Sequence, residues 1–196
     1  LTTHMKSVGE AMSIGRNFAA ALGKALRSME DPDAPFSFAD QPGDVHELLR
    51  QIRKPRDGRL QSMMQALRAG ATVEQVSAAS KVDEWFIDQM LMVKQVADRL
   101  RAAPGITAEL LREAKRHGLS DVQIADIRKT SPELIRQLRW SLGVRPVFKT
   151  VDTCAAEFAA QTPYLYSSYD GGTELQPRAR PAVLIPGSCP SPLGPA

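Results

Sequence analysis

The sequence predicts a mainly α fold, a compact bundle of short helices flanked by partial α/β pieces. Three observations predict it. Helix-start residues recur with short connections from Asp44 to Gly143. Apolar residues between them fall at helical spacing. After Gly143 the chain changes character and reads as extended runs and proline-rich breaks. These features divide the 196 residues into segments 1–30, 31–44, 45–146 and 147–196.

In the first segment Ser7 and Glu10 have the spacing of a capping box, which would begin one long helix at Val8. Gly9 and Gly15 oppose it, because each costs about 1 kcal/mol against Ala inside a helix. The preferred reading is an extended piece through Met12 and Ile14, a turn at Gly15 and a helix capped by Asn17. Its apolar stripe is Phe18, Ala21, Leu22, Ala25, Leu26 and Met29. Residues 31–44, DPDAPFSFADQPGD, carry three prolines and four aspartates and read as a linker or ordered loop at a domain boundary.

The punctuation of 45–146 is legible. Asp44 caps VHELLRQIRK, with Glu47 at N3, and Pro55 stops it. RLQSMMQALRAG places Leu60, Met63, Met64 and Leu67 on one face and ends at Gly70. Thr72 and Gln75 form a capping box before VEQVSAASK. Phe86, Met90, Val93 and Ala97 are in register along DEWFIDQMLMVKQVADRLRA. Thr107 caps AELLREAKRH, which Gly118 closes; Ser120 and Gln123 make a second capping box, and Ser131-Pro132 is a cap followed by proline at N1. Beyond Gly143, RPVFKTVDTCAAEF joins an extended run to a helix at Ala155–Ala160, TPYLYSSYDGGTELQPRARP reads as loop, and PAVLIPGSCPSPLGPA begins as a buried strand.

Bulk properties narrow the function classes. A composition of 43% hydrophobic and 24% charged residues is that of a globular protein, and a net charge of +3 permits an anionic partner without demanding one. Two cysteines, Cys154 and Cys189, are too few for a disulfide framework, which fits a reducing compartment. No apolar run approaches the roughly 20 residues that span a bilayer, so no membrane partner is expected. The opening LTTHMK has neither an initiator Met nor an apolar h-region and reads as a fragment.

Candidate sites are few. Residues 118–143 look like a helix-turn-helix, with Ala125 at the tight contact and Glu133, Arg136, Gln137 and Arg139 placed to face bases. Any two short helices joined by a polar turn share that look, so packing is preferred and no nucleic-acid partner is expected. Cys154 as a nucleophile would need a nearby His or helix N-terminus, and His4, His46 and His117 are all distant in sequence. A buried Cys at a packed helix start is the preferred reading. The histidines have no ligand spacing. In GSCPSPLG the prolines remove the backbone donors a phosphate-cradling turn needs. No catalytic, cofactor-binding or metal residue is assigned.

Several stretches, taken together and in order, resemble the large chain of carbamoyl-phosphate synthase. LTTHMKSVGEAMSIGR with FAAALGKALRSME is similar to the end of that family's first ATP-grasp unit. ITAELLREAKRHGLSDVQIADI is similar to its helical oligomerisation domain, and RPVFKTVDTCAAEF with YLYSSYD to the lead into the second synthetase half. The resemblance covers nearly the whole chain. It assigns 1–30 to the end of the first unit, 31–44 to a linker, 45–146 to the oligomerisation domain and 147–196 to a connector and truncated second half. The helix-turn-helix lookalike then falls within a packed domain, with Val122, Ile124, Ile127, Leu134, Ile135 and Leu138 serving a core. For Lys6–Arg16 the resemblance implies structural support.

The resemblance implies an ATP-dependent ligase, active in the cytoplasm, that makes carbamoyl phosphate from bicarbonate and glutamine-derived ammonia for arginine and pyrimidine biosynthesis. ATP and Mg2+ or Mn2+ are the parent enzyme's cofactors, and none is expected on this segment. The implied partners are a small glutamine amidotransferase subunit and other large chains, in a homo-oligomer. The family's ATP and metal residues lie in the bodies of the ATP-grasp units, outside these residues. The tail departs from the family's glycine-rich turn, which resembles VLVLGSGPNRIGQG. Gly187, Pro190 and Gly194 are kept, but Pro186 interrupts the strand and Cys189 replaces a glycine. Pro192 and Pro195 stand where a basic residue and a Gln are usual.

Overall fold

Side-chain caps set where most of the helices begin. In the computed structural model, which describes residues 10–175 apart from 30, 32, 39–41, 160 and 162–163, Asn17 accepts the Ala20 amide at 2.8 Å and starts α1 (Phe18–Ser28). Asp44 accepts from Glu47 N at 2.9 Å and starts α2 (Val45–Gln51). α3 (Arg59–Arg68) follows a left-handed Gly58. Reciprocal capping boxes, Thr72 with Gln75 and Ser120 with Gln123, open α4 (Val73–Ser80) and α7 (Asp121–Arg128). Asp83, Thr107 and Ser131 cap α5 (Glu84–Ala102), α6 (Ala108–Arg116) and α8 (Pro132–Ser141). Each cap satisfies an amide that the first helical turn leaves without a partner. Left-handed residues end several of these helices: Lys81, Lys129, and Gly118 and Gly143 just beyond α6 and α8.

The core forms around α5. Its Ile87, Met90, Val93, Val96, Ala97 and Leu100 are buried, and α1, α3, α4, α6 and α7 pack against it. α2 leans on α3 and α4, and α8 on α7. Residues of the 31–44 stretch enter the same core: Ala34, Phe36 and Phe38 are buried. An extended segment cannot satisfy its own buried carbonyls, and here side chains from several helices do so. Gln61 donates to Ala34 O, Gln123 to Phe36 O at 2.8 Å, and Arg101 to Phe38 O at 3.1 Å.

The helix starts agree with the sequence reading more closely than the core faces do. Leu60 and Phe86 are not core residues; the buried sets are Met63, Met64, Ala66 and Leu67 on α3, and Ile87 onward on α5. In α1 the buried residues are Ala19 and Leu26, with Leu22 and Met29 packed beside them. Phe18 instead meets Trp85 and Phe86 edge-on, with ring centres 5.5 and 5.2 Å away. Of the apolar positions proposed for α7 and α8, Ile124, Ile127 and Ile135 are buried, whereas Val122 and Leu134 are each 56% exposed. A period of 3.6 admits several neighbouring stripes, and the partner helix selects one.

The greatest departures come after Gly143. Strand β1 (Val147–Thr150) is as expected, but residues 155–159 are not helical. Ala155 and Ala156 adopt φ of 52° and 62°, while Asp152 accepts Cys154 N at 2.9 Å and Ala156 N at 2.7 Å. The carboxylate thus draws those amides into a turn, a competition with helix that short acidic side chains commonly win. The stretch read as loop contains strand β2 (Leu165–Ser168), antiparallel to β1 with Val147 opposite Ser168 and Thr150 opposite Leu165. Lys6, Ser7, His4 and the tail motif at 183–196 lie outside the described residues.

Candidate functional site

The helix-turn-helix lookalike is a packed pair. Ala125 is buried at the α7–α8 contact. Arg139, one of the four side chains that would have to face bases, is 9% exposed and is turned inward onto Asp121. Glu133, Arg136 and Gln137 are exposed, with the Arg136 guanidinium 5.0 Å from the Trp140 ring centre. Cys154 is half-buried in the Asp152 turn rather than at a helix start, with its sulfur 4.0 Å from the Thr153 hydroxyl. His117 engages the Glu113 carbonyl through Nδ1 at 2.9 Å, and His46 is exposed on α2. These contacts join neither histidine to Cys154 as a base to a nucleophile.

The structure does bring together a polar junction that sequence reasoning missed. Asp121, at the first turn of α7, accepts Lys115 Nζ at 2.8 Å and Arg139 Nη2 at 3.0 Å. Arg139 Nη1 also donates to Val144 O at 3.2 Å. Tyr169, just past β2, lies beneath both cations, its ring centre 5.5 Å from Lys115 Nζ and 6.0 Å from the Arg139 guanidinium. From α1, Arg27 donates to Gly118 O at 2.7 Å and Lys24 to Ile14 O at 2.8 Å; Lys24 also donates to Ser167 O. Arg116 pairs with Asp170 at 2.6 Å. The Asn17 side chain adds a bond to Arg116 O at 3.1 Å. One short region thus ties α1, α6, α7, α8 and the hairpin.

Electrostatics at the junction arise from crowding. Burial lowers the Lys115 pKa, and nearby Arg139 and Arg27 lower it further, against the pull of Asp121. Burial also lowers Arg27 and Lys24, and Arg27 adds to the effect on Lys24. Burial alone would raise the Asp121 carboxyl, yet hydrogen bonds and charge from Lys115 and Arg139 hold it below the usual carboxylate range. The Tyr169 phenol is pushed up by burial. Beside these groups opens a cavity of about 390 Å³ whose walls include Lys24, Arg27, Lys115, Ser120 and Tyr169. Such an arrangement can brace the fold or hold an anion. Among the described residues no three or more His, Cys, Asp or Glu side chains are grouped as a metal site. No helix of the described residues is long and apolar enough to cross a membrane.

The only hint of this junction in the sequence is Asp121 at the first turn of a capped helix, six residues after Lys115. Arg27 and Tyr169 arrive from 94 residues before and 48 after Asp121, a separation no local pattern reports.

Comparison with known proteins gives a consistent picture. The family model described as carbamoyl-phosphate synthetase large chain, oligomerisation domain, matches residues 10–143. The carbamoyl phosphate synthase large chain of Streptomyces avermitilis is 59% identical over 99% of this chain and 18% of its own length. Those of Streptomyces coelicolor and Kineococcus radiotolerans are 58% and 54% identical over the same shares. The chain spans about a fifth of the length of these curated relatives. The matched segment ends at the glycine after α8 and takes in the whole helical block, α1 to α8. By that match the chain belongs to the oligomerisation-domain family of carbamoyl-phosphate synthetase large chains.

Proposed function

We propose that this chain is a structural and self-associating segment of a carbamoyl-phosphate synthase large chain. The parent enzyme, in this reading, is an ATP-dependent ligase that joins bicarbonate and glutamine-derived ammonia through two ATP-driven phosphorylations. It serves arginine and pyrimidine biosynthesis in the cytoplasm and receives ammonia from a small glutamine amidotransferase subunit. Segments 1–30, 31–44, 45–146 and 147–196 correspond to the end of one synthetase unit, a linker, the oligomerisation domain and the approach to the second unit. No catalytic, cofactor-binding or metal residue is assigned to this chain.

The observation that carries the reading is the family match over α1–α8 together with the use of those helices. Their apolar residues form one core that also takes in Phe36 and Phe38 of the 31–44 stretch. A body of this kind transmits position rather than chemistry, holding the chain before α1 in register with the chain after the hairpin. The residues at the junction do not fit a magnesium–nucleotide site: its carboxylates are already paired, Asp121 with Lys115 and Arg139 and Asp170 with Arg116, and hard divalent cations require free oxygen ligands. No phosphoryl-transfer step is therefore routed through this chain. Self-association is supported by the mutually packed rings of Phe18, Trp85 and Phe86, of which Trp85 is 53% and Phe86 42% exposed. Clustered exposed aromatics mark association surfaces. A DNA-reading role is disfavoured by the inward position of Arg139.

Size-exclusion chromatography with light scattering, over a wide concentration series of the purified chain, is expected to show mass rising with concentration. Strictly monomeric behaviour throughout would refute self-association. The same preparation is expected to form no carbamoyl phosphate from ATP, bicarbonate and ammonia, and turnover by the chain alone would show that it carries catalytic residues after all.

A further inference from the structure

We propose that the cavity between α1, the α6–α7 connection and the hairpin is a binding site for a phosphate-bearing small molecule, held through Lys24, Arg27 and the first turn of α7. This inference is independent of the parent enzyme's chemistry.

The first support is an imbalance of charge. Arg16, Lys24, Arg27, Lys115 and Arg116 line the cavity against the carboxylates of Asp121 and Asp170. Both carboxylates are committed. Asp121 pairs with Lys115 and with Arg139 behind it, and Asp170 pairs with Arg116. Lys24 and Arg27 hydrogen-bond to carbonyl oxygens: Ile14 and Ser167 for the former, Gly118 for the latter. Carbonyls orient a cation without neutralising it. An ammonium has three donors and a guanidinium five, so each side chain keeps donors beyond the bonds it makes. Both side chains line the cavity, with the Lys24 ammonium also 5.6 Å from the Tyr166 ring centre.

The second support is backbone geometry. Ser120, Asp121 and Val122 form part of the wall where α7 begins, and the Ser120 hydroxyl accepts the amide of Gln123. With these residues in its wall, the cavity lies at the positive end of the α7 dipole, where anions are stabilised, while the N3 amide stays held by Ser120. The third is the shape. About 390 Å³ lies within the range of roughly 300–1,000 Å³ usual for small ligands. Ala20, Leu119 and Pro146 supply apolar wall for whatever the phosphate is attached to. A phosphate suits the site better than a carboxylate because it carries up to two charges and three acceptor oxygens, enough to engage Lys24, Arg27 and the helix amides together. Burial lowers the pKa values of Lys24 and Arg27, and Arg27 lowers Lys24 further, a cost of desolvated positive charge that a bound anion would offset.

The test is titration of the full 196-residue chain, isotopically labelled, with inorganic phosphate, AMP and adenosine, monitored by amide NMR. Phosphate and AMP are expected to give saturable shifts centred on 118–122 and 167–170, weakening with salt, while adenosine gives none there. Arg27→Met, which keeps the aliphatic stem, is expected to weaken phosphate and AMP binding about tenfold, the usual loss for a hydrogen bond to a charged group; Lys94→Met, in a pair with Asp98 outside the cavity, leaves it unchanged. Absence of saturable shifts, shifts centred elsewhere, or equal response to adenosine would overturn the site. So would wild-type affinity in a folded Arg27→Met protein. Should that variant fail to fold, Lys24→Met takes its place with the same expected loss, and the wild-type shift map decides regardless.

Discussion

Gly118→Ala is expected to destabilise the chain by about 2–5 kcal/mol, against about 1–2 kcal/mol for Gly58→Ala. Both glycines sit in the left-handed region, at φ of 81° and 70°. Each substitution therefore meets the steric cost of that conformation for a residue with a Cβ. At Gly58 nothing lies within 4 Å of the added carbon. At Gly118 it would fall 2.6 Å from the Ala19 carbonyl oxygen and 3.2 Å from Ala20 Cα, both backbone atoms. From the other side, a Cβ on Gly23 would stand 2.8 Å from Gly118 O. The two glycines let α1 lie directly against the α6–α7 turn, where Arg27 and Asn17 bond to the carbonyls of Gly118 and Arg116. Helix α1 cannot move aside without breaking those bonds. Urea titrations of the two variants, with unchanged slope, isolate the clash from the backbone term. Equal losses at the two positions would show that α1 does not pack as closely as described.

Asp121→Ala is expected to cost about 3–5 kcal/mol, the range for removing one partner of a buried ion pair. Lys115 and Arg139 are each 9% exposed, and they would be left facing one another beside Tyr169 with their shared carboxylate gone. Asp121→Asn retains an acceptor oxygen but loses the charge, so it falls between wild type and Ala. The pH dependence has a definite sign. Asp121 has its pKa lowered on folding, because Lys115 and Arg139 outweigh the effect of burial. An unfolded carboxyl binds its proton first as pH falls, near pH 4. The stabilisation is therefore complete above that range and disappears as pH drops through the folded value. The gap between wild type and Asp121→Ala, measured in urea at stepped pH, is expected to narrow below about pH 4. A gap that stays constant or widens there would mean that Asp121 does not hold its charge through these cations.

The parts of the fold that could be read from sequence were those controlled by interactions within four residues. Asn17, Asp44, Thr72, Thr107, Ser120 and Ser131 each cap the helix expected of them. A cap is a local hydrogen bond, and its donor and acceptor are neighbours in the chain. The helical part of the family resemblance rests instead on likeness of residue runs such as AELLREAKRHGLSDVQIADI. The proposed helix at 155–160 failed because the Asp152 carboxylate offers Cys154 and Ala156 an alternative that propensity alone does not weigh. Strand β2 escaped notice because its ladder partner, β1, lies across a connection of 14 residues, 151–164.

From its residues alone, then, this protein has its class, a mainly α body with helices begun at named caps, and its membership of a family. The tertiary structure alone decided which faces are covered, as where Ile87 rather than Phe86 enters the core and Val122 and Leu134 remain outside. It alone placed Arg27, Lys115, Asp121, Arg139 and Tyr169 around one junction. The physical reason is range: capping and periodicity act over a turn or two of chain, whereas burial and charge pairing depend on distances in space, which exist only once the helices have packed.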